Sequence, residues 1–171
     1  VILNRFLRLP IEQAEQVFTR IDLEEFISLS QKGNEEEEID RELFGKALNL
    51  KDIRVREAMV PRPEIEYIDV NASLEDLEQL ILETKLSRIL VIDGEIDKVK
   101  GYIHHQQLLK APRNLRSIIM DIPFVPEVMP VINLMNKFIR ERIYIACVVD
   151  EFGGVSGIIT LEDILEEIVG E

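Results

Sequence analysis

The sequence is poor in the residues that crosslink or anchor a protein. Among its 171 residues there is a single cysteine, Cys147, and no tryptophan. One cysteine cannot form an internal disulfide, and this one lies in the apolar run IYIACVVD. We therefore expect Cys147 to be a buried core residue, not a reactive thiol, which is compatible with a reducing compartment.

Long apolar runs are also missing. No run approaches the roughly 20 residues that a membrane-spanning helix requires. The opening segment VILNRFLRLP has no initiator Met, and it lacks the apolar core and cleavage site of a secretory signal. We expect the sequence to be an excised piece of a longer chain.

Basic residues are in short supply. Twenty Lys and Arg stand against 33 Asp and Glu, which gives a net charge of −13. Nucleic acid requires a basic surface, so this balance argues against a nucleic-acid partner. It also disfavours docking on anionic lipid.

The first 50 residues have a helical pattern that ends in an acidic segment. Apolar residues near helical spacing, followed by DLEEFISLS, predict helices. The turn signal Gly33-Asn34 then precedes the acidic run Glu35–Glu38. A solvated run is one interpretation and a cation-attracting patch is the other, although consecutive acids without an ordered loop make a poor metal cage.

From Val55 onward, short β-type runs alternate with helical ones. EIEYIDV predicts a strand, and SLEDLEQLILETK a helix that begins with a capping box of Ser73 and Asp76. RILVIDG and KVKGYIH predict two further strands. HQQLLKA predicts a short helix that ends before Pro112.

The same order then recurs. IPFVPEV, PVINLMNKFIRE, YIACVVDEFGG, VSGIIT and LEDILEEIVGE predict a strand, a helix, two strands and a closing helix. Asp93 and Asp150 end corresponding strands 57 positions apart, and Gly101 and Gly157 are 56 apart. This spacing indicates an internal duplication.

The predicted fold class is α/β (α+β), with two strand–helix–strand–strand–helix repeats in a pseudo-twofold pair. We place the repeats at residues 51–111 and 112–171, after a helical lead-in at 1–50. Each sheet should bury one face against its own helices and share an interface with the other repeat.

The segment GIITLED carries the sharpest chemical signal. Thr160 closes a strand that includes Gly157 and Ile158, and Asp163 lies one turn into the next helix. A helix N-terminus favours phosphate, and a carboxylate can accept hydrogen bonds from both ribose hydroxyls. The rival interpretation is a bare capping box, T-x-x-D, which needs no ligand.

Three segments together resemble a known family. VREAMVPRPEIEYI, GYIHHQQLL and ACVVDEFGGVSGIITLEDILEEIVGE are similar to the tandem CBS (Bateman) module of the CorC/HlyC and CNNM proteins. These are membrane proteins of magnesium and cobalt transport, some of them called hemolysin-like. The resemblance covers residues 55–171 and extends more loosely to the lead-in, which is similar to the family's link to its membrane domain.

The resemblance implies a function. Such a module forms a homodimer through its CBS repeats, binds ATP or another adenine nucleotide with Mg²⁺, and controls an attached transmembrane domain. It would lie at the cytoplasmic face of the inner membrane as part of a membrane protein. The alternative is a ligand-free dimerisation scaffold of the same protein.

The resemblance also implies site residues. Thr160 and Asp163 would hold ribose beside Ile158, and the adenine would lie against Met59, Val60 and Pro61. The phosphates would meet Arg62 and Arg88, and Glu162 is the acid nearest to a Mg²⁺ bridging them. Each has an ordinary alternative as core residue, turn, ion-paired arginine or acid at a helix N-terminus.

The first repeat serves as an internal control. Its counterparts of Thr160 and Asp163 are His104 and Gln107. Gln107 lacks the charge that strengthens a carboxylate's hydrogen bonds, so we expect one working site. His104 and His105 invite a metal hypothesis, but helical neighbours point apart and the chain has no third histidine, so we interpret them as ordinary residues.

An enzyme is the least favoured class. The sequence places no nucleophile beside a base and contains neither a P-loop nor a cluster of metal ligands.

Overall fold

The computed structural model describes the backbone of residues 52–169 and the side chains of residues 52–167. The lead-in expected at residues 1–50 and its acidic run Glu35–Glu38 lie outside this part. No helix between residues 52 and 169 is both long enough and apolar enough to cross a bilayer.

Seven strands and four α-helices make up the described part of the chain. The strands are β1 Val60–Pro61, β2 Tyr67–Asp69, β3 Arg88–Asp93, β4 Glu95–His104, β5 Phe124–Pro126, β6 Ile145–Val149 and β7 Val155–Thr160. The α-helices are α1 Val55–Ala58, α2 Leu74–Thr84, α3 Val131–Glu141 and α4 Leu161–Val169. Three 3-10 helices cover Arg62–Glu64, His105–Lys110 and Leu115–Ile118.

The strands form two sheets of matching topology. One has the order β2-β3-β4, and the other has the order β1-β7-β6-β5. In each, the strand before the long helix is parallel to the strand after it, which then forms an antiparallel hairpin. The predicted α/β fold with a duplicated unit is confirmed.

The two long helices begin and end at equivalent positions. Ser73 caps α2, with its Oγ accepting from the backbone N–H of Asp76 at 3.1 Å, as the capping-box pattern predicts. Pro130 precedes α3, and proline costs little there because the first N–H of a helix has no partner within it. Both helices end in a left-handed residue, Lys85 and Arg142, again 57 positions apart.

Alternation along the central strands divides the core into three clusters. In β3, Ile89 and Val91 face α2, whereas Leu90 and Ile92 face the second sheet. The second repeat uses the same rule: Ala146, Val148 and Ile159 pack against α3 and α4, and Ile145, Cys147 and Ile158 face the first sheet. Each sheet thus has one face on its own helices and one face in a cluster shared by both repeats.

The segments that enter the two repeats exchange sheets. Val60 and Pro61 belong to the first repeat but pair with Ile158 and Gly157 of the second. Conversely, Met120 at the start of the second repeat pairs with Tyr102 of the first, through backbone bonds of 2.8 and 3.0 Å. The family resemblance implied the first of these contacts, since it folds the segment entering the first repeat against the T-x-x-D end of the second. The pairing of Met120 with Tyr102 was not predicted.

Candidate functional site

Thr160 and Asp163 lie where β7 turns into α4. Asp163 Oδ2 accepts hydrogen bonds from the backbone N–H of Thr160 at 2.7 Å and from its Oγ1 at 2.8 Å. Thr160 Oγ1 in turn accepts from the Asp163 N–H at 3.3 Å. The capping box is therefore formed, and within the described residues Asp163 Oδ1 has no hydrogen-bond partner. Thr160 and Asp163 are both partly exposed, so a ribose hydroxyl could donate to this oxygen.

The segment expected to contact adenine runs alongside this junction. β1 is the edge strand beside β7, and its Val60 lies opposite Ile158, two residues before Thr160. Met59 packs over Gly157, where an added Cβ would lie 2.7 Å from its sulfur. Both Met59 and Val60 are partly buried, and each packs at the margin of a core cluster. Ile158 is buried within the cluster between the sheets and lies beside Val60 on the neighbouring strand.

Arg88 reaches the same junction from the first repeat. It begins β3 on the face that Leu90 and Ile92 share, so its side chain is directed towards the second repeat. Its Nη1 lies 3.2 Å from Glu162 Oε1 in the first turn of α4. Its guanidinium carbon also stands 5.6 Å from the centre of the Tyr144 ring, a cation–π distance.

Arg62 lies elsewhere. Its guanidinium forms a two-pronged ion pair with Asp97 of β4, with Nη2–Oδ2 at 2.9 Å, and it donates to the Val155 carbonyl at 3.0 Å. Val155 begins β7 and Thr160 ends it, so five residues of strand, roughly 16 Å, separate the two points. The structure brings Arg88 to the T-x-x-D junction and places Arg62 towards the opposite end of β7.

The ion pair of Arg62 shifts both partners. Its guanidinium lowers the pKa of Asp97 to about 2, with help from the Val155 N–H, which donates to Asp97 Oδ1 at 2.9 Å. The hydrogen bond between Arg62 and Asp97 in turn raises the pKa of Arg62. Both residues belong to the first repeat, and both bond the backbone of Val155 in the second, so the pair ties β7 to the first repeat. The pair also occupies the cation that the sequence proposed for phosphate.

Two partners of the proposed arginines were not predicted from the sequence. Tyr144 supports Arg88, and its carbonyl accepts from the Leu161 N–H at 3.0 Å, which fixes the start of α4. Asp97 forms an ion pair with Arg62. No signal in the sequence pointed to Tyr144, because the repeat offset aligns it with Ser87 and does not reveal its contact with Arg88.

The equivalent junction in the first repeat is built differently. His104 ends β4, and its Nδ1 accepts from the Gln106 N–H at 3.2 Å, so it caps a 3-10 helix, not the α-helix of the second repeat. Burial, with the charges of Arg88 and His105, lowers the pKa of His104. A histidine and a glutamine are therefore present where the second repeat has a hydroxyl and a carboxylate.

The expectation that His104 and His105 point apart was wrong. Their rings stack, with centroids 4.8 Å apart and planes at 26°. Helical geometry does not apply, because His104 is extended and only His105 starts the 3-10 helix. No group of three or more His, Cys, Asp or Glu side chains suited to a metal ion occurs among the residues that the structure describes.

Comparisons with known proteins agree with this architecture. The profile of the CBS domain matches the chain twice, at residues 55–114 and 115–170. The magnesium and cobalt efflux protein CorC of Vibrio cholerae is 39% identical over 137 residues, which are 77% of this chain and 47% of that protein. A hemolysin C homolog of Rickettsia rickettsii is also 39% identical over 137 residues, covering 77% of this chain and 46% of its own. The chain thus spans about half the length of the curated relatives it matches.

A solved structure extends the likeness to three dimensions. It is the CBS domain of the bacterial CNNM/CorC family Mg²⁺ transporter in complex with ATP. The two share a TM-score of 0.74 and 39% sequence identity, over 77% of this chain and 98% of that one. Fold and matches together define a pair of CBS domains. The chain belongs to the CBS-domain family, in the branch that contains CorC, the hemolysin C homologues and the CNNM/CorC transporters.

Proposed function

We propose that this CBS pair binds an adenine nucleotide, ATP with Mg²⁺ in the first place, and thereby controls divalent-cation transport by a membrane domain of the same protein. The observation that carries the proposal is the meeting of Arg88 with the first turn of α4. A guanidinium from one repeat lies beside the T-x-x-D junction of the other, so a single anionic ligand would contact both repeats.

The polar groups at the junction suit a nucleoside. Asp163 keeps one carboxylate oxygen without a partner within the described residues, and Thr160 is partly exposed, so both can bond ribose hydroxyls. The adenine ring would lie against Met59, Val60 and Pro61, beside Ile158, where partly buried apolar groups adjoin backbone N–H and C=O groups.

The phosphates would lie between Arg88 and the N-terminus of α4. Both are positive, which offsets part of the repulsion expected from a chain of charge −13. The ion pair with Asp97 leaves Arg62 in a secondary role. Mg²⁺ prefers to keep waters and to take one or two carboxylates, so Glu162 fits as an outer contact of a cation that is held mainly by phosphate. Bound there, Mg²⁺ would supply charge neutralisation.

Regulation would follow from the cleft's position between repeats. A ligand shifts a conformational equilibrium only by its difference in affinity between the two states. Closing the repeats around a nucleotide would change the homodimer that they form, and the lead-in at residues 1–50 would carry this change to the membrane domain. We place repeats 51–111 and 112–171 at the cytoplasmic face of the inner membrane, and we assign them no catalytic role.

A ligand-free dimerisation scaffold is the second candidate. The observation in its favour is the complete capping box of Thr160 and Asp163, which satisfies the start of α4 without any ligand. The same four-residue pattern, in which Ser73 and Asp76 make the same reciprocal bonds, begins α2. A cap alone therefore accounts for both.

Titration calorimetry of ATP, with and without Mg²⁺, separates the two. Asp163→Ala and Asp76→Ala each remove the carboxylate of one capping box, and each should lower the free energy of unfolding by about 1 kcal/mol. Saturable binding that is lost in Asp163→Ala and Thr160→Ile but kept in Asp76→Ala supports the sensor. No heat and no thermal shift at millimolar ATP in the unmodified protein supports the scaffold.

A further inference from the structure

The protein supplies its own anion to Arg88. The Arg88 side chain is only 15% exposed, and its contact with Glu162 Oε1 at 3.2 Å is its one side-chain hydrogen bond within the described residues. A guanidinium has five N–H donors in a planar fork, and a carboxylate or phosphate can engage two of them at once. The observed contact uses one, so Arg88 is held but its donors are not saturated.

The Glu162 carboxylate can readily be displaced from Arg88. Its side chain is 65% exposed and makes no hydrogen bond other than this one within the described part. It stands in the first turn of α4, where the helix N-terminus also favours negative charge. Its carboxylate thus lies in the field of the same two positive groups that would attract a phosphate.

We propose that Glu162 is an intramolecular competitor for phosphate at Arg88, and that it sets how strongly the site discriminates between anionic ligands. This inference rests on the proposed nucleotide site. A phosphate that accepts hydrogen bonds from both Nη groups of Arg88 takes the Nη1 donor that Glu162 now uses, and so displaces the Glu162 carboxylate. The displaced carboxylate remains fixed to the first turn of the helix, so it repels the newcomer. Adenosine has no phosphate, so its binding neither displaces the Glu162 carboxylate nor is opposed by its charge.

The competition penalises some ligands more than others. Free ATP brings its full negative charge to a site that retains the displaced carboxylate. A triphosphate neutralised by Mg²⁺ brings less charge, and the released Glu162 can then face the cation. Glu162 therefore favours the magnesium complex over the free nucleotide, which makes it a specificity-determining residue of the site.

Glu162→Gln tests the idea, because it removes the charge and keeps the shape. Glu166→Gln is the matched control: it removes one charge from an exposed position one turn further along the same helix. Calorimetry should be run with ATP without Mg²⁺, ATP with Mg²⁺, and adenosine. We expect Glu162→Gln to bind free ATP about two- to fivefold more tightly than Glu166→Gln does, the scale of a partly exposed ion pair. The gain should be smaller for ATP with Mg²⁺ and absent for adenosine.

Each other outcome is decisive. Equal affinities of the two variants for free ATP, or an equal gain for adenosine, would overturn the competitor role while leaving the nucleotide site intact. Weaker ATP binding by Glu162→Gln would show that Glu162 contributes a contact to the ligand, and would also overturn it. If neither the unmodified protein nor any variant bound ATP, the nucleotide site itself would be wrong.

Discussion

The backbone carbonyl oxygen of Val60 approaches Gly157 so closely that a Cβ on Gly157 would collide with it. Gly157 is therefore required by the close approach of β1 to β7, which also brings Met59 against the sheet. A Cβ here would push away the segment that we propose to contact adenine.

Gly157→Ala should accordingly affect both stability and binding. We expect the free energy of unfolding to fall by about 1–3 kcal/mol, the range for overpacking a filled site, as measured by urea denaturation. The affinity for ATP should fall as well, because Met59 and Val60 would move away from the junction.

Gly101→Ala is the matched control from the other repeat. A Cβ there would collide with the carbonyl of Met120, and Gly101 also has φ +149°, so a comparable or larger loss of stability is expected. Binding of ATP at the Thr160 junction should survive. If both variants lost ATP binding equally, the proposal that adenine lies against Met59, Val60 and Pro61 would be contradicted.

Acid should weaken the link between Arg62 and Asp97. The pKa of Asp97 falls from 3.8 to about 2 in the folded protein, so its charged form stabilises the fold above 3.8. That contribution is lost as the pH falls from near 4 towards 2. Urea denaturation of the unmodified protein and Asp97→Asn should show a difference in stability that narrows over this window.

Asp121→Asn provides the reference for this series. Asp121 is exposed and forms no ion pair within the described residues. Its variant should track the unmodified protein through the same pH window. A stability difference between the unmodified protein and Asp97→Asn that does not change with pH would show that the ion pair is not the titrating contact.

The Cys147 thiol should be inert in the native state. Burial, with the charge of Asp97, raises its pKa to about 12, and the residue is fully enclosed between the sheets. Iodoacetamide at a pH near the ordinary thiol value of 9.0 should leave the folded protein unmodified by mass spectrometry. The same treatment in urea should alkylate it completely. Rapid native alkylation would mean that the central cluster opens readily.

Tyr144 should matter for phosphate and not for the nucleoside. Tyr144→Leu removes the ring beside Arg88, so we expect the Kd for ATP to rise about two- to fivefold, the scale of a cation–π contact. Tyr144→Phe keeps the ring and should bind ATP as the unmodified protein does. An equal loss for adenosine would indicate a general distortion of the junction.

Local patterns predicted much of the fold. The capping box at Ser73, the proline at 130 and the apolar runs of β3, β6 and β7 are signals carried within a few residues, and the structure places helices and strands there. The stretch at 105–111 was expected to form a short helix and is a 3-10 helix at His105–Lys110, a difference of hydrogen-bond spacing that the apolar pattern does not encode.

Contacts between distant segments could not be predicted in the same way. The sequence singled out Arg88 and Glu162 separately, but their pairing depends on how two sheets meet across 74 positions. Arg62 was proposed for phosphate with an ion-paired arginine as the alternative, and nothing near it in sequence identifies Asp97, 35 positions away, as its partner. The family resemblance supplied the roles of Thr160 and Asp163, since spacing alone also fits a cap.

The exchange of Val60 and Met120 between sheets makes the two repeats depend on each other. Each repeat borrows the entering segment of the other to cover a sheet edge, so separating the halves would expose unpaired backbone on both. The chain therefore forms one cooperative unit across the junction between its repeats, although each half has helices and a sheet of its own.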